Sequence, residues 1–438
     1  MTDQPKPDAE TPGGSQPFNL NAPRPTGRPI YESNLLPTRK RRRLPPWLVI
    51  PGLLLILSAA LYFLIFAPKP RRVVATAGQV VYSATDPADP TAPAAPHLWI
   101  VPFGGGSPRP LTTGSASDSS PVFTSDGYQL AFLSNRSGGQ NQIYVVDADG
   151  KNLTQVTRTA GAKTRPAFAP GSSTLLGFLS GGTLSCADVG QGDATLLLPT
   201  PGQSSHSSST DPTQAQESSA TVVGYDWKPA GDKTEPGLAA VLESNGVQAL
   251  AILPTLGSAP KLTQNDLPDG PPLAAGDVVS PAWAPDGSRL AVALLQVPAA
   301  PGQPKVSGMV ILDAQGGPVS RLFLTPPGSP SGPDNPVFSP DGSQIAFELW
   351  SQPDLASRRR LGVFVVPADG GQPRELAKGD AGQPQFSRDG QQLFFLSPRD
   401  GGGHDLSRIN IDGTGLIRVS DGKADVTGYA ISPQTARP

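Results

Sequence analysis

The chain has 438 residues with a net charge of −2, and 52 prolines and 49 glycines break it into short segments. Its one cysteine excludes an internal disulfide framework. A charge so near balance excludes the strongly basic footprint of a general nucleic-acid binder.

Residues 1–46 are rich in Pro, Asn, Gly and charge and poor in apolar side chains. Such a segment buries too little surface to offset its ordering entropy, so it is expected to be a disordered, basic, cytoplasmic tail. It carries the run Arg39, Lys40, Arg41, Arg42 and Arg43, directly before residues 47–66, twenty residues without a charge. At about 1.5 Å per residue a helix of that length spans about 30 Å, the thickness of the hydrocarbon core. More basic residues precede the run than follow it, where Lys69, Arg71 and Arg72 stand, which sets the N-terminus inside. A cleaved signal peptide is the rival reading, with Ala75-Thr76-Ala77 as its site, but those basic residues separate the site from the apolar run. The expectation is an uncleaved signal anchor in a single-pass plasma (inner) membrane protein, with residues 67–78 as linker and the remainder extracytoplasmic. Charge divides in the same way. Residues 1–68 hold 8 of the 34 basic and 4 of the 36 acidic residues, leaving 26 against 32 beyond them.

From residue 79 onward one pattern recurs. Residues 339–347 read SPDGSQIAF, 280–292 read SPAWAPDGSRLAV, 120–132 read SPVFTSDGYQLAF and 384–395 read PQFSRDGQQLFF, with weaker copies from Pro166 and Tyr225. Each copy sets a large apolar residue before an Asp-Gly turn and an apolar run after it. Asp-Gly between two such runs signals a hairpin, because glycine tolerates positive φ and the aspartate bonds the backbone ahead of it. A third apolar strand follows, as in Ile143-Tyr144-Val145-Val146 and Val363-Phe364-Val365-Val366, then a second turn and a short outer strand. Four antiparallel strands repeated at this period describe a β-propeller blade.

These residues resemble the TolB-type, WD40-like propeller repeat (the PD40 repeat), whose core reads S-P-D-G-x-x-I-A-F. The resemblance implies an all-β propeller over residues 79–438 and, for TolB, a cell-envelope role with protein partners. Positions equivalent to Pro336 are Pro121, Pro166, Tyr225, Pro281, Pro384 and Tyr429. The first blade lacks an inner strand, and the last copy is an inner strand alone. Seven blades are therefore expected, closed by a C-terminal strand at 426–432, with six if the weak copies are not blades.

Long inserts fall between second and third strands and between blades, which lie on one face of such a propeller. That distal, long-loop face is expected to dock a protein or peptide, since loops on a rigid scaffold carry function. Arg358, Arg359 and Arg360 on it are the candidate partner-binding residues, for carboxylate or phosphate groups. Against them stands the plain reading of a solvated loop. No zinc spacing, nucleophile elbow or phosphate loop occurs, and His97, His206 and His404 lie far apart. Asp147 and Asp149 lack the ligand pattern of a calcium loop. No catalytic, cofactor or metal residue is therefore assigned. The expected role is a non-catalytic binding or scaffold module for protein, peptide or envelope components. The alternative is a metal-dependent hydrolase or lactonase-type enzyme using the central funnel, which would need carboxylates beyond Asp126, Asp286, Asp341 and Asp389 of the repeated turns.

Overall fold

The computed structural model describes residues 78–85, 95–192, 194–198, 220–230, 235–244, 247–263, 277–298, 305–326, 328–351 and 358–433. The chain divides into two units, Met1–Pro70 and Arg71–Pro438, and every described residue belongs to the second. The basic run at 39–43, the expected membrane helix at 47–66 and nearly all of the linker lie outside the described residues. Among the described residues no helix is long and apolar enough to cross a membrane.

Among the described residues, twenty-eight strands form seven four-stranded antiparallel sheets. Blade 1 takes β1 (Gln79–Thr85), β2 (Pro96–Pro102) and β3 (Arg109–Pro110). Blade 2 is β4 (Asp118–Phe123), β5 (Gln129–Ser134), β6 (Gln142–Asp147) and β7 (Thr154–Gln155). Blade 3 is β8 (Lys163–Phe168), β9 (Leu175–Ser180), β10 (Thr183–Asp188) and β11 (Ala194–Leu198). Blade 4 is β12 (Thr221–Lys228), β13 (Gly237–Ser244), β14 (Val247–Leu253) and β15 (Lys261–Thr263). Blade 5 is β16 (Asp277–Trp283), β17 (Arg289–Pro298), β18 (Lys305–Asp313) and β19 (Pro318–Leu324). Blade 6 is β20 (Ser331–Phe338), β21 (Gln344–Ser351), β22 (Arg359–Pro367) and β23 (Arg374–Lys378). Blade 7 is β24 (Gly382–Phe386), β25 (Gln392–Pro398), β26 (His404–Asn410) and β27 (Ile417–Arg418), and the last strand, β28 (Val426–Ile431), completes blade 1. β28 pairs antiparallel with β1, Val80 opposite Ile431 and Tyr82 opposite Tyr429, so the two ends of the propeller share one sheet. The weak copies at Pro166 and Tyr225 are full blades, and the count is seven.

The repeated turn explains its own sequence. Ser339 Oγ donates to Asp341 Oδ1 at 2.5 Å and accepts the Gln344 N–H at 2.9 Å, while Asp341 also accepts the Ser343 N–H at 3.0 Å. Gly342, at φ 71°, donates its N–H to the Ser339 carbonyl. Thr124 with Asp126 and Ser387 with Asp389 repeat this. In blade 5 Ala284 lacks the hydroxyl, and Asp286 keeps the Ser288 Oγ bonds to both its oxygens, which Ser343 also makes to Asp341. These hydrogen bonds favour the ionised carboxylate. Ser339 first, then Ser343, hold Asp341 down at about 2. The recurrent acids are turn caps.

Blades pack face to face, with one hydrophobic cluster between each neighbouring pair. Ala239, Val241 and Ile252 of blade 4 meet Trp283, Leu290 and Val292 of blade 5. Val80, Tyr82 and Val426 meet Phe394 and Leu396 where blade 7 closes on blade 1. The continuous apolar runs are buried on both faces, as Leu130, Ala131 and Phe132 show. At about 1.5–3 kcal/mol for each fully buried Val, Leu, Ile or Phe, these interfaces dominate the stability of a chain with no disulfide.

Candidate functional site

In six blades a β-bulge interrupts the inner strand near its start, as between Ser119 and Val122, Thr164 and Ala167, Asp334 and Val337, or Gly382 and Gln385. In blade 1 the irregularity falls on β1, between Ser83 and Ala84, opposite β28. A bulge re-aims side chains and adds twist. Ser120, Arg165, Asn335 and Gln383 occupy the bulge with φ of 50°, 49°, 50° and 54°. Each precedes a proline. Ser120, Arg165 and Asn335 are exposed. They stand where the inner strands begin, around the mouth of the central channel, on the face that also carries the loops between second and third strands.

Glu348, in the second strand of blade 6, organises this face. It is 4% exposed and accepts four hydrogen bonds. Oε1 takes the Asn335 amide at 3.3 Å and the Gln383 N–H at 2.6 Å; Oε2 takes Trp350 Nε1 at 2.8 Å and Arg360 Nε at 3.2 Å. One buried carboxylate thus ties the bulges of blades 6 and 7 to an indole and a guanidinium. Burial, with Glu348 close by, holds the Tyr429 hydroxyl well above its ordinary range.

The three consecutive arginines do not act alike, because alternation along the strand separates them. Arg358 pairs with Asp334 at 3.1 Å and Arg360 with Glu348 and with Asp380 at 3.1 Å. Both guanidinium groups stack on Trp350, at 4.7 and 5.1 Å from the ring centroid. Arg359 is exposed, and its guanidinium has no partner among the described residues. These side chains, with Leu361, Gly379 and Asp380, line a cleft of about 660 Å³. Of the three candidate partner-binding arginines, Arg358 and Arg360 are committed to internal ion pairs and Arg359 alone is left unpaired among the described residues, beside the Trp350 platform.

The network continues around the ring. Asp380 bonds His404 Nε2 at 3.1 Å, and Asp425 accepts the His404 N–H at 2.7 Å. On the other side of the closure, fully buried Asp118 receives Arg136 at 2.8 and 2.9 Å and lies 3.7 Å from His97 Nδ1. Lys163, also fully buried, has its ammonium capped by the carbonyls of Thr159, Ala160 and Gly161 and by Ser180 Oγ, and burial lowers its pKa. Arg136 on Asp118 and the carbonyl cage of Lys163 are internally paired and fix loop ends, whereas His97 Nδ1 is buried without a hydrogen-bond partner. His206 lies outside the described residues. Among the described residues no three His, Cys, Asp or Glu side chains converge as a metal site.

A second cavity of about 370 Å³ runs along the channel wall of blades 3 to 6 and includes Arg165, Tyr225, Asp226, Trp283 and Asn335. Asp226 was not singled out in the sequence. It accepts the Trp283 N–H at 2.7 Å, one of the backbone donors that an innermost strand turns toward the channel. Burial pushes it up to about 6, against the Trp283 and Trp227 N–H groups, which favour the anion.

No known protein-family profile matches the chain. In sequence it is similar to a tricorn protease homologue of Streptomyces coelicolor, at 29% identity over 310 residues, which is 62% of this chain and 27% of that protein. The chain thus spans about a quarter of that relative's length. In structure it is similar to a prolyl endopeptidase, with a TM-score of 0.52 and 14% identity, over 80% of this chain and 49% of that one. It is also similar to TolB from Acinetobacter baumannii, with a TM-score of 0.46 and 17% identity, over 86% and 71% of the two chains. The class is a seven-bladed β-propeller whose structural neighbours are TolB and related propeller proteins. The likeness to the prolyl endopeptidase shows the fold alone, and a propeller fold does not separate binding from catalysis.

Proposed function

We propose that this propeller is a non-catalytic, membrane-anchored extracytoplasmic binding module that docks a protein or peptide on its long-loop face. The observation that carries the reading is the cleft at Trp350, where an exposed, unpartnered Arg359 stands beside an indole held in place by Glu348. Arginine and tryptophan in a pre-organised setting are the residue types that dominate interface energetics. The surrounding pairs of Arg358 and Arg360 with Asp334, Glu348 and Asp380 reduce the side-chain rearrangement that binding requires. The membrane anchor rests on the uncharged run at 47–66 and the basic run before it.

One observation favours the enzymatic alternative, the Asp226 carboxylate in the channel. A hydrolase acting there would need a second carboxylate or an imidazole, and the described residues lining that cavity include neither.

The test compares capture of envelope components by the full chain and by a Trp350→Ala, Arg359→Glu variant whose melting temperature is unchanged. A component retained by the first and lost by the second supports docking at the cleft. Equal capture by both would remove the cleft from the account.

A further inference from the structure

We infer that the channel cavity around Asp226 is a binding site for a small organic ammonium compound, distinct from the docking cleft. Four features of the cavity support this. Its volume, about 370 Å³, leaves room for a small organic ligand. Its wall is aromatic in part, with Tyr225, Trp227, Trp283 and Phe338 contributing, and aromatic faces attract ammonium groups. It contains a single carboxylate, Asp226, which accepts backbone N–H groups but forms no ion pair with any described cation. The fourth feature is an unsatisfied donor.

Trp283 is only 5% exposed, and its Nε1–H has no acceptor. The blade before it shows where such a group belongs. Trp227 Nε1, at the equivalent position, donates to the Ala167 carbonyl of blade 3 at 3.0 Å. Asp226 stands in blade 4 where Ala167 stands in blade 3. By that equivalence the orphaned Trp283 N–H is directed toward the backbone of Asp226, and both residues line the cavity. A buried donor without a partner is a cost that a ligand oxygen removes. A compound with an ammonium for Asp226 and an oxygen for Trp283 fits both groups.

The other ionisable groups around the cavity are Arg165, Lys228 and Tyr225. Arg165 is exposed at the mouth, where water screens it, and Lys228 Nζ lies 5.4 Å from the Trp283 ring centroid. Burial holds the Tyr225 hydroxyl well above its ordinary range, so it stays neutral. Asp226 is half-buried, open to a ligand and poorly compensated by its surroundings. Protons compete with the ligand for it, since Asp226 is held at about 6. At pH 5 about a tenth of the carboxylate is ionised, so binding weakens about tenfold relative to pH 7.5.

The probes are choline, ethanolamine and tetramethylammonium, each titrated into the purified full chain while tryptophan fluorescence is read, with 3,3-dimethylbutanol as the neutral isostere of choline. A saturable response to the ammonium compounds, absent for the isostere and about tenfold weaker at pH 5, is expected. Asp226→Asn should abolish it. Trp283→Phe should weaken choline and ethanolamine several-fold and leave tetramethylammonium, which has no oxygen, unchanged. No saturable response at millimolar ammonium would overturn the inference. So would an equal response to the isostere, or one that survives Asp226→Asn. If Asp226→Asn fails to fold, the isostere, the pH comparison and Trp283→Phe still decide. None of these readings depends on Arg359 or Trp350, so failure here leaves the docking cleft standing.

Discussion

Tyr225 Oη donates to the carbonyl of Arg165, one blade earlier, at 2.7 Å. Tyr429 makes the same bond to the carbonyl of Gln383, at 2.5 Å. Both tyrosines stand where the other five blades have proline, and both acceptors belong to left-handed bulge residues. Tyrosine here ties a strained turn to the next blade. Tyr225→Phe and Tyr429→Phe should each lower unfolding stability by about 1 kcal/mol, the usual net worth of one hydrogen bond. Urea unfolding measures it, and changes below about 0.3 kcal/mol would show the bonds to be incidental.

Glu348 should matter more than any arginine it holds. Its removal strands the Trp350 indole N–H, the Asn335 amide and the Gln383 N–H together and leaves Arg360 with Asp380 as its one carboxylate partner. Glu348→Ala should cost about 3 kcal/mol or more, as for other buried pairs broken from one side. Glu348→Gln keeps an acceptor and should cost less. Arg359→Glu, on an exposed side chain, should stay within about 0.5 kcal/mol of wild type by the same urea measurement.

The sequence and the structure agree most closely where the repeat is dense. SPDGSQIAF at 339–347 contains a complete turn and the strand after it, and the missing inner strand of blade 1 pointed to β28. Side-chain partnership was less legible. Arg358, Arg359 and Arg360 read as one charge cluster, but a strand turns alternate residues to opposite sides, and Asp334, Glu348 and Asp380 come from other segments. Glu348 carries a signal of its own, a charge inside the apolar run IAFELW, where a strand covered on both faces has no room for an unpaired carboxylate. Asp226 gave none, because its environment is made by Trp283, 57 residues away.

Asp226 and Asp341 should titrate stability in opposite directions. Asp226 is raised in the folded state to about 6, so the native protein binds its proton more tightly than the unfolded chain does. Its contribution therefore falls as pH rises from about 4 through about 6, by about 3 kcal/mol as an upper bound. Asp341 is depressed to about 2, so its contribution is present above about 4 and is lost as pH falls toward 2. Urea unfolding of wild type and Asp226→Asn at pH 4.5, 6 and 7.5 tests the first. The variant should gain on wild type as pH rises, and parallel curves would contradict this.

Closure by β28 should be worth more than any side chain. Val426, Tyr429 and Ala430 are each at most 5% exposed, and Val426 and Tyr429 belong to the cluster that joins blade 7 to blade 1. Deleting residues 426–438 removes them and leaves β1 as an unpaired edge. The melting temperature should fall by on the order of 10 °C, with self-association visible by light scattering. A truncated chain that melts like wild type and stays monomeric would show that the ring does not depend on this strand.

The most direct test of the docking account is site-specific photo-crosslinking in living cells. A photoreactive side chain would be placed at Arg359 in the full chain and, separately, at Lys151 in a turn on the opposite face. Docking at the cleft predicts a discrete crosslinked partner from position 359, absent from position 151 and lost when Trp350 is changed to Ala. Crosslinks from 151 and none from 359, or crosslinks from 359 that ignore Trp350, would contradict it.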